Sequence, residues 1–337
     1  MSITFNRREF IQTLMAGVAL GPAILSSQRY SSAGLPTRLL GNTGEHISII
    51  GLGGWDSAYP GISDKDSIAL IREAADSGIT FFDNAWEYNR GRSEEMVGRA
   101  LSEGGRREKV FMMTKVCARD YNGARQHLHE SLQRLRTDHV DLVQFHSIQY
   151  PGDPQRIFDP ENGGLKFLLE AKKEGKLRYI GFSGHMYPEK HLEMLNMPFD
   201  WDTVQMPLNV MDAHYNSFQK QVLPVLLKKN IGVLGMKSLA AQNARIPREL
   251  NVSVELCRRY ALSLPVSTVI CGIQNIDELH TTLNVARDFK PLTEGQINEL
   301  LDKAKEPAKD GHIEQYKNPK AYFGCSWQSK ILESEKN

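Results

Sequence analysis

The sequence predicts an α/β fold, a (β/α)₈ TIM barrel with an N-terminal hairpin and a C-terminal helical extension. From residue 37 onward, short apolar runs rich in β-branched residues alternate with longer amphipathic runs, as in a parallel sheet covered by helices. Eight runs have strand character, the number that this closed barrel requires. The 337 residues contain no long internal repeat or low-complexity linker, which favours one catalytic domain.

The strands follow a small hairpin over residues 37–47, whose turn is the glycine-bearing segment 41–44. The eight barrel strands are expected at residues 46–52, 80–83, 110–114, 140–145, 179–183, 203–206, 232–236 and 267–270.

Helices are expected between these strands, because apolar residues recur there at helical spacing. The first covers residues 67–77, with Asp64 as its expected N-cap. The others are expected at residues 93–101, 123–134, 165–174, 188–195, 219–229, 252–260 and 276–286. A further helix at 293–304 lies outside the eight units, and Thr293 with Gln296 offers it a capping box.

Composition narrows the class of protein. With 41% hydrophobic and 24% charged residues the chain can bury a large core, and its formal net charge of +1 gives no reason to expect nucleic acid as a partner. The four cysteines form no CxxC pair, so neither a metal site nor a disulfide framework is expected. A single bridge remains open.

Residues 1–33 are predicted to be a signal peptide, and residues 34–337 the barrel domain with its C-terminal extension. The adjacent Arg7 and Arg8 precede an apolar run over 11–25, and small residues follow at 31–33, which resembles a twin-arginine export signal. That run is shorter than the roughly 20 residues of a membrane span, so no stable membrane anchor is expected. We therefore expect the export machinery as a partner and a periplasmic or otherwise exported protein. The alternative is an amphipathic helix on a cytoplasmic protein.

Polar side chains stand where predicted strands end. The second strand ends in Asp83, with Tyr88 shortly after it, the third is followed by Lys115 and the fourth by His146. Active sites of such barrels lie at the carboxyl ends of the strands. Each residue alone has a structural explanation, Asp83 as a loop acid or His146 as a buried histidine. Their joint placement favours a catalytic site.

This set of groups suits the addition of hydride to a carbonyl. Tyrosine is a weak acid, with an ordinary pKa of about 10, and a lysine cation beside it favours the phenolate. Asp83 can hold Lys115 in place, and a neutral His146 can donate a hydrogen bond that orients the carbonyl. The sequence has no evident carboxylate pair for glycoside hydrolysis and no activated Ser or Cys. A lyase or isomerase would need a metal or phosphate site, which is not evident.

The residues around this set resemble the signature of the aldo-keto reductase family. The resemblance runs from about residue 39 to residue 301. Its motifs are Phe82-Asp83-Asn84-Ala85-Trp86-Glu87-Tyr88, Gly91-Arg92-Ser93-Glu94-Glu95, Gly98-Arg99-Ala100-Leu101, Thr114-Lys115, Phe145-His146, Gly181-Phe182-Ser183 and Val204-Gln205.

The resemblance implies reduction of a small-molecule aldehyde or ketone, with NADPH as cofactor and NADH not excluded. Tyr88 would be the proton donor, Lys115 and Asp83 its tuning partners and His146 the carbonyl-orienting residue. Ser183 and Gln205 would hold the nicotinamide carboxamide. Trp55 and Trp86 are expected to wall the substrate pocket, with a packing role as the alternative.

The cofactor residues of the last two strand ends depart from the family pattern. Where an Arg or Lys often follows the glycine of the eighth strand, this chain has neutral side chains, which weakens a preference for NADPH. The expected cofactor residues here are Gly272, Gln274, Asn275 and Glu278, with Lys237 and Ser238 after the seventh strand. Lys237 is an alternative phosphate contact. The competing function is an exported barrel that binds a nicotinamide nucleotide without turnover, as a sensor or structural ligand.

Overall fold

The computed structural model describes residues 29–240, 244–320, 324, 325 and 327. Its strands, in chain order, are β1 (Arg29–Tyr30), β2 (Pro36–Leu39), β3 (His46–Ser48), β4 (Ile50–Gly53), β5 (Phe81–Asp83), β6 (Phe111–Val116), β7 (Val140–Phe145), β8 (Leu177–Ser183), β9 (Thr203–Pro207), β10 (Gly232–Met236) and β11 (Thr268–Gly272).

Strands β4 to β11 form the predicted closed barrel, and every neighbouring pair is parallel. The predicted strand at 46–52 is wrong in its extent, because the chain changes partners at Ile49. There β3 pairs antiparallel with β2, whereas β4 joins the barrel beside β11 and β5. The Ser48 hydroxyl donates to the Ile50 carbonyl oxygen at 2.6 Å, which stabilises this change of direction.

The helices cover the outside of the barrel. In chain order they are α1 (Gly54–Ser57), α2 (Asp64–Asp76), α3 (Arg92–Leu101), α4 (Tyr121–Leu135), α5 (Asp153–Ile157), α6 (Gly164–Lys173), α7 (Pro188–Leu195), α8 (Phe218–Gln221), α9 (Leu223–Lys228), α10 (Arg245–Leu250), α11 (Val254–Ser263), α12 (Ile276–Arg287) and α13 (Glu294–Lys305). Short 3₁₀ turns occupy Tyr88–Gly91, Arg107–Lys109 and Gln315–Lys317.

Two helix predictions need correction, and one cap is confirmed. Ser63, not Asp64, caps α2, since its hydroxyl accepts from the Asp66 amide at 3.1 Å. The helix predicted at 219–229 is divided into α8 and α9 at Val222, where Pro224 lacks the N–H that a continuous helix would use. The capping box of Thr293 and Gln296 at the start of α13 is present. None of the helices in the described ranges is long and apolar enough to span a bilayer.

The hairpin closes the amino end of the barrel. Leu40 and Ile47 are buried in one cluster with Phe81 and Phe111, the first residues of β5 and β6. The backbone of Gly41 approaches the start of β10 so closely that a Cβ atom there would lie 2.3 Å from the Gly232 nitrogen. In the described part of the chain, the amino end of the barrel is therefore closed by the hairpin.

Strand β1 lies within the predicted signal segment. Arg29 pairs with Thr37 of β2, so cleavage after residue 33 would remove one strand of the three-stranded sheet. Residues 1–28, which carry the two arginines and the apolar run, lie outside the described residues.

The chain after α13 returns across the open end of the barrel. Lys317, fully buried, forms ion pairs of 2.7 Å with Asp212 and 2.9 Å with Glu314. Further on, Cys325 forms a disulfide with Cys117, the residue that follows β6. The single bridge that the sequence left open is therefore present, and we refer to residues 312–327 as the C-terminal tail.

Candidate active site

The four predicted catalytic residues meet at the carboxyl end of the barrel. Asp83 ends β5, Lys115 lies near the end of β6, and His146 directly follows β7. All three are buried, with 3%, 1% and 2% of their surface exposed. Tyr88 begins the 3₁₀ turn after β5, and its ring lies edge-on to that of His146 with 5.5 Å between centroids.

The Lys115 ammonium group is the hub of this arrangement. It donates to an Asp83 carboxylate oxygen, to the Asn84 carbonyl oxygen at 2.8 Å and to the Tyr88 hydroxyl oxygen at 3.1 Å. These contacts use all three of its protons. Burial lowers the pKa of Lys115, while the Asp83 carboxylate opposes that shift. A cation held at this position stabilises negative charge on the Tyr88 oxygen.

The loop that carries Tyr88 is fixed from two sides. Asn89, in the left-handed region with φ 52°, donates through its amide to the carbonyl oxygens of Trp55 at 2.8 Å and Ala58 at 3.1 Å. On the other side Arg134 of α4 donates to the Trp86 carbonyl oxygen at 2.9 Å and pairs with buried Glu94 at 3.2 Å. These contacts hold the Tyr88 backbone between α1 and α4.

Glu87 is a neighbour of His146 that the sequence did not indicate. One of its carboxylate oxygens lies 3.1 Å from His146 Nδ1. Burial lowers the pKa of His146, and Glu87 opposes this effect. A carboxylate acceptor at Nδ1 places the proton of the neutral ring on that nitrogen, so Nε2 is an acceptor. The sequence predicted a neutral His146 that donates a hydrogen bond to the substrate carbonyl. In this tautomer the donor nitrogen, Nδ1, faces Glu87 instead.

Two residues predicted to hold the nicotinamide lie on adjoining strands of the same rim. Ser183 ends β8 and Gln205 lies opposite it in β9, and both are buried. The Gln205 amide nitrogen donates to Asp83 at 3.3 Å, which joins this pair to the catalytic residues. The Gln205 amide oxygen is buried and has no hydrogen-bond partner within the described ranges.

Lys237 and Ser238 follow β10 at the mouth of the barrel. Ser238 is buried, and Lys237, in the left-handed region with φ 59°, places its ammonium 5.9 Å from the ring centre of Tyr316 in the C-terminal tail. Burial lowers the pKa of Lys237, whereas nearby Asp56 and Asp83 act to raise it. Lys237 thus lies among the carboxylates of the mouth, between the catalytic centre and the tail.

The predicted cofactor residues after β11 form an exposed loop. Asn275 is the N-cap of α12, since its side chain accepts from the Glu278 amide at 2.9 Å. Glu278 in turn accepts from the Gln274 backbone amide at 2.9 Å and from the Asn275 side chain at 3.1 Å. Asp56 of α1 hydrogen-bonds the Gln274 side chain and packs on Gly272. Two carboxylates, Glu278 of α12 and Asp56 of α1, therefore flank this loop, and Asp56 was not anticipated.

The two predicted pocket tryptophans have different surroundings. Trp55 is 39% exposed and meets the Tyr88 ring edge-on at 5.6 Å, so it adjoins the predicted proton donor. Trp86 stacks on His127 of α4 at 3.7 Å, and its indole N–H donates to Glu130 at 2.7 Å. The Trp86 ring thus packs against α4, as in the packing alternative.

Sequence spacing did not reveal the supporting residues, namely Glu87, Glu94, Arg134, Asp56 and the Cys117–Cys325 pair. For Glu87 and Glu94 a signal existed, because both stand within the motifs quoted above. Arg134, Asp56 and the cysteine pair come from separate segments that only the closed barrel and the returning tail bring together.

A parallel barrel with an Asp–Lys–Tyr–His cluster at its carboxyl end defines an α/β-barrel protein with the groups for proton transfer to an oxygen. Residues 49–249 match the model of the Aldo/keto reductase family, and the chain belongs to that family.

Relatives of known sequence and structure agree with this assignment. The chain is 34% identical over 213 residues to the aldo-keto reductase YhdN of Bacillus subtilis, covering 59% of this chain and 61% of YhdN. It is 30% identical over 203 residues to the aldo-keto reductase yakc of Schizosaccharomyces pombe, whose name specifies NADP(+), covering 53% and 57%. The matched segment thus spans less than two thirds of these relatives. The structure of aldo-keto reductase AKR11C1 from Bacillus halodurans, in a holo form, shares the fold with a TM-score of 0.66 at 23% identity, covering 82% of this chain and 99% of that one.

The buried pair of Lys115 and Asp83 predicts a large loss of stability when one partner is removed. Lys115→Met should lower the free energy of unfolding by about 3–5 kcal/mol, because it leaves an uncompensated buried carboxylate. Urea denaturation measures this. Asp83→Leu combined with Lys115→Met should cost less than the sum of the single changes. The matched control is Lys190→Met in the surface pair with Glu193, expected to change stability by no more than about 1 kcal/mol. Additive effects at Asp83 and Lys115 would contradict the pairing.

Proposed function

We propose that this chain reduces a small aldehyde or ketone to the alcohol, with NADPH as cofactor and Tyr88 as proton donor. The observation that carries the proposal is the Lys115 ammonium group, which joins the Asp83 carboxylate to the Tyr88 hydroxyl at 3.1 Å. The names of the relatives, reductases that include one with NADP(+), support the same class of reaction.

The nicotinamide fits the orphaned amide of Gln205. In the described part of the chain, no protein group donates a hydrogen bond to its buried side-chain oxygen. The N–H groups of the nicotinamide carboxamide would satisfy that oxygen. The Ser183 hydroxyl oxygen accepts from the Ser147 amide at 3.3 Å, which leaves its own proton to donate to the carboxamide oxygen. Ser183 and Gln205 are therefore the residues that we propose to hold this group, with Gly272, Gln274 and Asn275 lining its nucleotide end.

The catalytic residues act on the substrate oxygen. A bound reduced nicotinamide supplies the hydride. As the oxygen gains negative charge, the Tyr88 hydroxyl donates its proton to it, and Lys115 stabilises the phenolate that remains. Asp83 holds the Lys115 ammonium group in place before the reaction begins, so this charge does not have to be repositioned as the phenolate forms.

His146 has a different role from the one that its position alone indicates. With Glu87 at Nδ1, the neutral ring cannot donate from Nε2, so we assign donation to the carbonyl oxygen to Tyr88. Nε2 is suited to accept a hydrogen bond from a hydroxyl group, such as that of the alcohol product.

Replacing Tyr88 tests the proposed reaction. Tyr88→Phe should reduce turnover by about 10²- to 10⁴-fold and leave nucleotide affinity nearly unchanged, because the lost proton is needed only as the alkoxide forms. Steady-state assays with a panel of aldehydes and a nucleotide titration measure the two effects. The matched control, Tyr179→Phe, removes a hydroxyl at the opposite end of the barrel, where it donates to the Thr43 carbonyl oxygen.

Two results would count against this role. Near wild-type turnover of Tyr88→Phe would mean that another group donates the proton. Nucleotide binding by the wild-type chain with no turnover of any carbonyl would favour the alternative, a barrel that binds the nucleotide without catalysis.

We propose a small preference for NADPH over NADH. Two cations of the segment after β10 could contact phosphate, Lys237 at the mouth and Arg245 at the start of α10. The Glu278 carboxylate in the first turn of α12 acts against a 2′-phosphate and can accept from a ribose hydroxyl instead. The preference should therefore be smaller than in relatives with an arginine in that loop.

Adding an arginine to this loop tests the contact. Gln274→Arg should tighten NADPH by about one to two decades, or 1.5 to 3 kcal/mol, and NADH by much less, because only NADPH offers the extra phosphate. Titration of both nucleotides against both proteins measures this. The control is Thr281→Arg, which adds the same charge at an exposed position further along α12. Equal tightening of both nucleotides would show that residue 274 does not face the phosphate, and wild-type preference for NADH would overturn the cofactor proposal.

We also propose that the protein is exported through the twin-arginine route and acts in the periplasm or outside the cell. The support is the pair Arg7 and Arg8 ahead of a short apolar run. Replacing both with lysine, which keeps the charge, should leave the protein in the cytoplasm, as fractionation would show. Arg106→Lys, a surface arginine paired with Asp76, is the control that should export normally. Unchanged export of the Arg7 and Arg8 variant would refute the signal.

A further inference from the structure

A second cluster of reactive side chains surrounds the Nδ1 atom of His146. It consists of His146 itself with Glu87, Cys117 and Cys325, and we refer to it as the thiol cluster. One ligand atom from each of the four residues lies within 4.8 Å of the others. The two cysteines and His146 are buried, and the Glu87 side chain is 14% exposed. Two sulfurs, one imidazole nitrogen and one carboxylate oxygen make a donor set that zinc prefers.

We propose that the thiol cluster binds one zinc-type divalent ion per chain when the Cys117–Cys325 disulfide is reduced. The disulfide and the ion exclude each other, because both use the same two sulfur atoms. The cluster would thus have an oxidised form closed by the S–S bond and a reduced form closed by the metal.

The spacing of the donor atoms suits a tetrahedral ion. Bonds of about 2.0–2.3 Å to zinc place neighbouring donor atoms about 3.3–3.8 Å apart. Cys117 Sγ lies 3.7 Å from His146 Nδ1, and that nitrogen lies 3.1 Å from the Glu87 oxygen. All four donor atoms lie within 4.8 Å of one another, so forming the site needs only small shifts. The largest is separation of the two sulfurs, which rotation about the side-chain bonds can provide between Cα atoms 6.1 Å apart.

Other contacts keep Cys325 near the cluster after the S–S bond breaks. Before it, Lys317 is held by its buried ion pairs with Asp212 and Glu314. After it, the Trp327 ring packs edge-on against His127 at 4.7 Å and against Trp86 at 5.7 Å. The fourth ligand is therefore supplied by a tail that is anchored on both sides, which lowers the entropic cost of forming the site.

A phosphine can reduce the Cys117–Cys325 disulfide to two thiols. The phosphine takes an oxygen atom from water and becomes a phosphine oxide, and the two electrons and two protons convert the S–S bond into two thiols. Binding of the ion then releases the two thiol protons to solvent. His146 releases no net proton, since its ring proton moves from Nδ1 to Nε2 as Nδ1 takes the metal.

Cobalt(II) provides the test, because tetrahedral Co²⁺ bound to thiolates shows visible d–d bands and a thiolate-to-cobalt charge-transfer band. The full-length protein is reduced with a phosphine, freed of metal and titrated with Co²⁺, and then with Zn²⁺ as competitor. We expect both sets of bands to saturate at one Co²⁺ per chain and to disappear on addition of Zn²⁺. The same protein left oxidised, which is folded and carries the same histidine and carboxylate, should show neither.

Variants identify the ligands. Loss of a residue that only hydrogen-bonds a metal ligand weakens metal binding by roughly 10- to 100-fold. Because Cys325 is a direct ligand in this proposal, Cys325→Ser should weaken Co²⁺ binding by more than that and reduce the intensity of the charge-transfer band. Cys257→Ser removes a buried free thiol elsewhere and should leave the spectrum unchanged. Glu87→Gln should weaken binding but keep the thiolate band.

Three results would overturn the proposal. These are absence of the thiolate band in reduced protein, the same spectrum in oxidised protein, and an unaltered spectrum in Cys325→Ser. None depends on carbonyl reduction, so failure of the proposed function would leave this test intact.

Discussion

The buried ion pair between Lys115 and Asp83 is the interaction on which the catalytic end of the barrel depends. A lysine ammonium group that is almost completely buried is tolerated only with a compensating charge and full hydrogen bonding. Asp83 supplies the charge, and the Asn84 carbonyl and the Tyr88 hydroxyl complete the bonding. The desolvation that makes the pair costly also strengthens its effect on the Tyr88 oxygen, because the local dielectric constant is low.

Closure of the barrel provides the rigidity that this pair requires. Parallel pairing of β5 with β6 brings Asp83 and Lys115 to one rim, and the hairpin fills the opposite end with apolar side chains. The loop after β5 contains left-handed residues and only a short 3₁₀ turn. Side-chain contacts of Asn89 on one side and of Arg134 on the other add to its backbone hydrogen bonds.

The described residues of the C-terminal tail pack against the carboxyl end of the barrel. The tail is attached at three places, namely the buried ion pair of Lys317 with Asp212 after β9, the contact of Tyr316 with Lys237 after β10, and the Cys117–Cys325 bond after β6. The tail thereby connects Lys237 with the surroundings of His146. A chemical change at Cys117 consequently occurs next to the imidazole ring of His146.

The sequence by itself determined the eight-stranded barrel and the four residues at its rim, because alternation of apolar runs and the residue at each strand end are local properties of the chain. It misplaced the boundary between β3 and β4 and the cap of α2, which depend on competing local hydrogen bonds. Only the tertiary structure decided that Glu87 meets His146 Nδ1, that Trp86 packs on α4 and that Cys117 joins Cys325. Those contacts join segments far apart in the chain or select one rotamer among several, and neither leaves a periodic signal in the sequence.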